Sequence, residues 1–219
     1  MIALVRYTLS TVLLSQRYLP PVLVFLAGLL VFTGADDNGP LLPDYAVGTA
    51  GVFICGIWLT VVTINAPDPV QRSITVVNGG GSGRVLAASV WVAALWCAFI
   101  GVIGLLYPLT VGHHPVDPAV LVLGALAELT SACTGIALGL LCSRLVVRRT
   151  GISILAALAA VLLFVLVPGV PPVHPVFQLL AAARPASAIL WQVVLFSLVS
   201  VALLAASTMC TRFVADRRD

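Results

Sequence analysis

One acidic residue, Glu128, lies well inside an apolar run of the sequence and is followed by small polar side chains. A charged group at the centre of a bilayer costs about 2.5–3.5 kcal/mol on insertion scales, so Glu128 is expected to face the interior of a helix bundle. Ser131 lies on the same helix face, because residues three apart are neighbours, and Thr134 belongs to the same polar patch. The patch is interpreted either as part of a substrate path or proton relay, or as a buried carboxyl that is hydrogen-bonded to a neighbouring helix.

No other set of residues in the sequence has the spacing of a reactive or metal-binding group. The five cysteines occur singly in apolar runs, and no histidine has a partner at ligand spacing, so no metal site is expected. The glycine-rich run 79–84 lacks the Gly-Lys-Ser/Thr ending of a phosphate-binding loop, so it does not predict nucleotide binding. No nucleophile is paired with a base, and no catalytic residue is predicted.

The composition predicts that these residues belong to a membrane protein. Charged residues make up 9% and hydrophobic residues 61% of the 219 residues, and the mean hydropathy is +1.15. Soluble domains carry about 25% charged residues and about 45–50% apolar ones, so this chain has too little polar surface to cover a water-soluble globule. This excludes a soluble enzyme, a nucleic-acid-binding protein and a disordered chain, and it predicts an all-α polytopic membrane protein.

Six apolar segments are candidates for membrane-spanning helices, each of which needs about 20 residues. They cover residues 18–33, 45–64, 85–107, 119–142, 151–167 and 188–210, and the first and fifth are short. The first 17 residues have a different pattern, because Val5 and Val12 cluster on one helical face while Arg6 and Arg17 share a polar stripe beside it. We therefore expect an amphipathic interfacial helix at 1–17, with an extension of the first span as the alternative, and a six-span domain at 18–219.

The arginines predict the orientation of these spans. All eleven basic residues are Arg, and the six-span layout places ten of them on one side and only Arg184 on the other. The excess of positive residues marks the cytoplasmic side, so both termini are expected in the cytoplasm. The use of Arg without Lys, in a chain rich in Ala, Val, Leu and Gly, suggests a high-GC bacterial genome. The expected location is therefore the bacterial plasma membrane.

Two connecting segments carry structural signals of their own. After the second span, Asp68 and Pro69 form a typical helix start, and the glycines from Gly79 onward form a typical helix end. A short cytoplasmic helix is therefore predicted between spans two and three. The outer segment 168–187 is proline-rich and then apolar, which predicts one or two short re-entrant helices in the outer leaflet between spans five and six.

In this layout the chain resembles the small six-helix permease subunits of ABC-2 type transporters. The resemblance covers nearly the whole length and depends on layout more than on sharp motifs. Its features are the helix at 1–17, the cytoplasmic helix at 68–77 followed by Gly83-Arg84, the glycine-rich end of the fourth span at 135–143, and the apolar outer segment 173–183. One departure is that family members often have an acidic run before the cytoplasmic helix, where this chain has only Asp68.

The resemblance implies the permease subunit of an ATP-driven exporter for a hydrophobic or amphipathic compound, such as a peptide antibiotic, a drug or a lipid-like molecule. A separate cytoplasmic subunit would bind ATP and Mg, and its movement would be transmitted through the cytoplasmic helix, which serves as the coupling helix in that family. The residues that would couple to the ATPase are Asp68, Gln71, Arg72 and Arg84. The implied partners are this ATPase, a second identical or related permease and membrane lipid, with no nucleic acid.

Three alternatives remain open from the sequence. The first is a haem-exporter-type permease of cytochrome c maturation, which has the same architecture and a similar length. The second is an intramembrane enzyme that uses Glu128 as an acid or base. The third is a non-catalytic membrane assembly or immunity protein, which would have no ATPase partner.

Overall fold

The computed structural model describes residues 1–33, 40–111, 117–146, 150–167, 172–182 and 185–217. Within these ranges the chain forms nine helices and no strand. The helices are α1 (Ile2–Ser15), α2 (Leu19–Thr33), α3 (Leu41–Asn65), α4 (Pro69–Gly79), α5 (Ser82–Val111), α6 (Pro118–Leu141), α7 (Thr150–Leu166), α8 (Val173–Ala181) and α9 (Ala186–Asp216).

Four of the described helices, α3, α5, α6 and α9, are long and apolar enough to cross a membrane. The bent pair α1–α2 would add a fifth span if it is counted as one unit. The helices at the predicted first and fifth spans are short, with 15 residues in α2 and 17 in α7. The prediction of a helical, multi-pass membrane protein therefore agrees with the structure, whereas the number of six spans stays a prediction.

The first two helices meet at a bend of 75°. Gln16 closes α1 in the left-handed conformation, with φ 52°, and its backbone N–H donates to the carbonyl of Leu13. Val12 is buried, and α1 packs against α5, while Arg6 is exposed. Such a bend is what an interfacial helix beside a spanning helix requires, and the contact of α1 with lipid stays a prediction.

The most extensive helix pair, α3 with α6, runs parallel and packs through glycines. A methyl group on Gly124 would lie 2.8 Å from the ring of Tyr45, and one on Gly135 would lie 3.4 Å from the Cα of Gly56. A methyl group on Gly139 would lie 2.6 Å from the Cβ of Thr60. The Gly135–Gly139 motif therefore packs α6 against α3 within the chain, as small residues four apart do in membrane helices.

The apolar segment that was predicted to lie on the outer side contains a nine-residue helix, α8, which packs into the bundle. Val173 at its start belongs to the same buried cluster as Phe53, near the middle of α3. Leu180 near its end belongs to a cluster with Leu42, at the start of α3. Thus α8 lies alongside the first half of α3. Residues 168–171 and 183–184, which complete the predicted outer segment, lie outside the described ranges.

The arginine-bearing ends of several helices meet at one end of the bundle. The Asn65 side-chain carbonyl at the end of α3 accepts a hydrogen bond of 3.4 Å from the backbone N–H of Arg144, just after α6. A methyl group on Gly83, at the start of α5, would lie 2.9 Å from the Nε atom of Arg212 on α9. The ends of α3, α6 and α9 and the start of α5 therefore lie together, with α4 connecting α3 to α5.

Candidate functional site

The Glu128 side chain is buried in the α3–α6 contact, with only 6% of its surface exposed. At about 1.5 Å per residue it lies about 15 Å along the axis of α6 from Pro118, roughly half of a hydrocarbon core that is about 30 Å thick. Neither carboxyl oxygen has a hydrogen-bond partner in the part of the chain that the structure describes. The expectation that Glu128 faces the bundle interior agrees with this placement.

Glycines on two neighbouring helices make room for this carboxyl group. A methyl group on Gly48 of α3 would lie 2.9 Å from Oε1, and one on Gly104 of α5 would lie 3.0 Å from the same atom. A methyl group on Gly101 would lie 3.7 Å from Oε2. The carboxyl group therefore occupies space that any larger residue at position 48 or 104 would need.

The other two predicted members of the polar patch are also buried, but they differ in hydrogen bonding. Ser131 is fully buried, and its hydroxyl has no partner among the described residues. Thr134 donates a 2.8 Å hydrogen bond to the carbonyl of Thr130 on its own helix. Glu128 and Ser131 are therefore the unpaired members of the patch, and Thr134 is satisfied within α6. The alternative of a carboxyl bonded to a neighbouring helix finds no such bond among the described residues.

A second polar contact, between α6 and α9, was not predicted from the sequence. The hydroxyls of Thr130 and Ser197 lie 2.9 Å apart and are hydrogen-bonded. Ser197 also donates to the carbonyl of Val193 on its own helix. Hydroxyl residues are common in apolar helices and mostly bond their own backbone, so the sequence has no signal that distinguishes this interhelical pair.

The predicted coupling residues lie on α4 and at the start of α5. Asp68 precedes α4 in an extended conformation, and its carbonyl accepts a 2.8 Å hydrogen bond from the backbone N–H of Arg72. Gln71 is exposed and Arg72 is half-buried. Gly80 ends α4 with φ 79°, and Arg84 lies in the first turn of α5. The predicted helix start at Asp68-Pro69 and its glycine end agree with these bounds.

The face of α4 that points away from α5 is apolar and exposed. Val70, Ile74 and Val77 share this face because they lie four and three residues apart, and their exposed fractions are 69%, 56% and 81%. The opposite face contacts α5, and a methyl group on Gly79 would lie 3.4 Å from the Leu4 side chain of α1. The sequence analysis singled out the polar residues of this helix and missed its apolar face, which its valine and isoleucine spacing could have revealed.

A basic groove of about 410 Å³ lies beside this connection, at the start of α5. It is lined by Arg84 together with Arg212 from the end of α9 and the glycines of the connecting turn. Both arginine side chains are exposed. Arg212 was not among the predicted coupling residues, because its proximity to Arg84 depends on how α9 packs against α5.

The two predicted sites are separate. From Gly48, beside Glu128, to Asn65 at the end of α3 the distance is about 25 Å along the helix axis at 1.5 Å per residue. No group of three or more His, Cys, Asp or Glu side chains with metal-binding geometry occurs in the described ranges. Comparison of the chain with known protein families, with curated proteins and with solved structures finds no match.

Proposed function

We propose that this chain is the membrane permease subunit of an ATP-driven ABC exporter, which works with a separate cytoplasmic ATPase. The proposal includes a second permease copy or a related permease, a bacterial plasma membrane and cytoplasmic termini. Its substrate would be a hydrophobic or amphipathic compound moved outward. The ATP and Mg would be bound by the partner and not by this chain.

The observation that supports this proposal is the exposed apolar face of α4. Exposure of three branched apolar side chains to water is unfavourable for a helix outside the spanning helices, since burying each one is worth about 1.5–3 kcal/mol. Amphipathic helices with such a face commonly bind in an apolar groove of a partner protein. Because α4 is joined directly to α3 and α5, a partner that moved α4 would also move two long apolar helices.

The basic groove between Arg84 and Arg212 lies beside α4 and is further support for this surface as the region that contacts the partner. Arginines beside an apolar helix face would orient an acidic partner surface and increase its rate of association. Asp68, Gln71 and Arg72 would form the polar rim of the contact, and Val70, Ile74 and Val77 its apolar centre.

Photocrosslinking from α4 tests the proposed partner. A photoreactive amino acid at Val77 is expected to crosslink, in membranes of the native host, to a protein that carries a nucleotide-binding motif and hydrolyses ATP. The matched control is the same amino acid at Trp91, which is exposed on α5 and should crosslink to lipid only. If position 77 captures no ATP-binding protein, or position 91 captures the same one, the proposal is wrong.

A substitution on the same face tests whether the contact matters energetically. Val77→Asp removes an apolar side chain that the proposed partner would bury, and it places a charge in the proposed interface. We expect the Kd for the ATPase to rise at least about tenfold, which corresponds to about 1.4 kcal/mol. Asn78→Asp adds the same charge at the neighbouring exposed position and should change the Kd far less. Equal effects of the two substitutions would mean that charge alone, and not the apolar face, determines binding.

A further inference from the structure

Among the described residues, no positive charge lies near Glu128 to balance a carboxylate. The arginines in the described ranges lie in α1, in the linker to α2, in α4, at the start of α5, just after α6 and at the end of α9. The other titratable side chains on the helices packed around Glu128 are Asp44, Tyr45 and Cys55 on α3, Arg84, Cys97 and Tyr107 on α5, and Cys133 on α6. Of these only Arg84 can carry a positive charge, and it lies about 25 Å from Gly101 along the axis of α5 at about 1.5 Å per residue.

The packing on the Oε1 side of the carboxyl group leaves no space for a bulky cationic ligand. Gly48 and Gly104 come so close to Oε1 that a single added methyl group would collide with it. The same contacts exclude a partner arginine or a substrate amine from this side of the carboxyl group in this arrangement of the helices. The one ligand that removes the charge without requiring space is a proton, and a protonated carboxyl is a hydrogen-bond donor as well as an acceptor.

We propose that Glu128 is an intramembrane proton-binding site, holding its proton while α3, α5 and α6 are packed as in this structure. Release of the proton would create an unpaired carboxylate in an apolar environment. The helices would therefore have to separate at Gly48 and Gly104 to admit water or a cation. Proton release and helix separation are thus one coupled step, whichever partner or substrate the chain has, so the site does not depend on the ABC assignment.

The adjacent hydroxyl of Ser131 supports this assignment. It lies three residues from Glu128 on the same face of α6 and also lacks a partner. A hydroxyl is both a donor and an acceptor, so it would hydrogen-bond a water that enters beside Glu128. The Glu128 carboxyl and the Ser131 hydroxyl are therefore two neighbouring unpaired polar groups at the level where the helices would have to separate.

Infrared spectroscopy of the purified full chain tests the protonation directly. In a detergent without ester groups, wild-type protein at neutral pH is expected to show the C=O stretch of a protonated carboxyl, shifted in D₂O. This band should be missing from Glu128→Gln and unchanged in Asp117→Asn, which alters an exposed carboxyl at the start of α6. Absence of the band from wild type, or its persistence in Glu128→Gln, would overturn the proposal.

A second measurement needs no variant and so does not depend on Glu128→Gln folding. Glu128 is the only glutamate in the sequence, so glutamate that carries ¹³C at its side-chain carboxyl carbon, supplied in cell-free synthesis, marks this carboxyl alone. In wild-type protein the band of the protonated carboxyl should shift to lower frequency with this label. A band that keeps its frequency would belong to another carboxyl and would contradict the proposal.

Discussion

The environment of Glu128 is determined by glycines on helices that are distant in the sequence. The carboxyl group fits because Gly48 and Gly104 have no side chain. A larger residue at either position would disturb the helix packing and the position of the carboxyl group. The existence of a buried acidic residue could be predicted from Glu128 alone, since it is the only acidic residue in an apolar run. Its glycine neighbours could not, because glycine is common throughout the apolar segments and only the packing of α3, α5 and α6 selects these positions.

Substitution of Gly48 by Ala should destabilise the protein. The added methyl group would lie 2.9 Å from Oε1 of Glu128 and 3.6 Å from the carbonyl oxygen of Gly104, so either the buried carboxyl group or the helices must shift. Overpacking of this kind costs about 1–3 kcal/mol, and we expect a lower thermal unfolding midpoint in the same detergent.

The control is Gly28→Ala on α2, where no heavy atom outside the local backbone lies within 4 Å of the added methyl group. Alanine is favoured over glycine in a helix by about 1 kcal/mol, so this variant should be as stable as wild type or more stable. If both variants unfolded at the same temperature, the close approach at Gly48 would not be a constraint.

At the scale of helices, the α3–α6 pair packs too closely to accommodate larger side chains at its glycine positions. Gly135 and Gly139 of α6 face Gly56 and Thr60 of α3, so the backbones approach closely over several turns. The positions of the long helices could be predicted from hydropathy, and the start of α4 from Asp68-Pro69. The choice of α3 as the partner of α6 could not, because every apolar helix offers similar surfaces and only the match of small residues across two helices decides the pair.

Gly139→Ala should disrupt this contact. The methyl group would lie 2.6 Å from the Cβ of Thr60 and 2.9 Å from the carbonyl oxygen of Ile57, and neither atom belongs to a flexible side-chain end. We expect a destabilisation of about 1–3 kcal/mol, measured as a lower unfolding midpoint or as faster proteolysis in detergent.

Gly151→Ala on α7 is the matched substitution at an open position, since no described heavy atom outside the local backbone lies within 4 Å of its added methyl group. Its unfolding midpoint should stay close to that of wild type. A larger loss at position 151 than at position 139 would show that close helix packing is not what limits stability here.

For the whole molecule, the predicted orientation in the membrane depends on which helix ends carry the arginines. The contacts of Asn65 with Arg144 and of Gly83 with Arg212 bring these ends together. The sequence predicted the same grouping from loop charges alone, because the positive-inside rule needs only the order of spans and loops. The side of the membrane on which this end lies is not a property of the packed chain, and it stays a prediction.

Cysteine accessibility tests that orientation. In a Cys210→Ser background, which removes the exposed cysteine of the native chain, Thr110→Cys should react with an impermeant maleimide in spheroplasts. Ser73→Cys on α4 should react only after the membrane is permeabilised, because the excess of arginines predicts that α4 lies in the cytoplasm. Both substituted positions are exposed, so burial cannot explain a difference between them. The opposite pattern would invert the predicted topology.

The short length of α8 has a consequence for how the protein is made. A nine-residue helix is well under the roughly 20 residues of a spanning helix, so α8 depends on packing against other helices to bury Val173, Val176 and Leu180. Its partners α3 and α6 precede it in the chain and are synthesised first. In a chain that folds as it is synthesised, α8 therefore meets a binding surface on α3 and α6 that has already been made, and α9 completes its contacts afterwards.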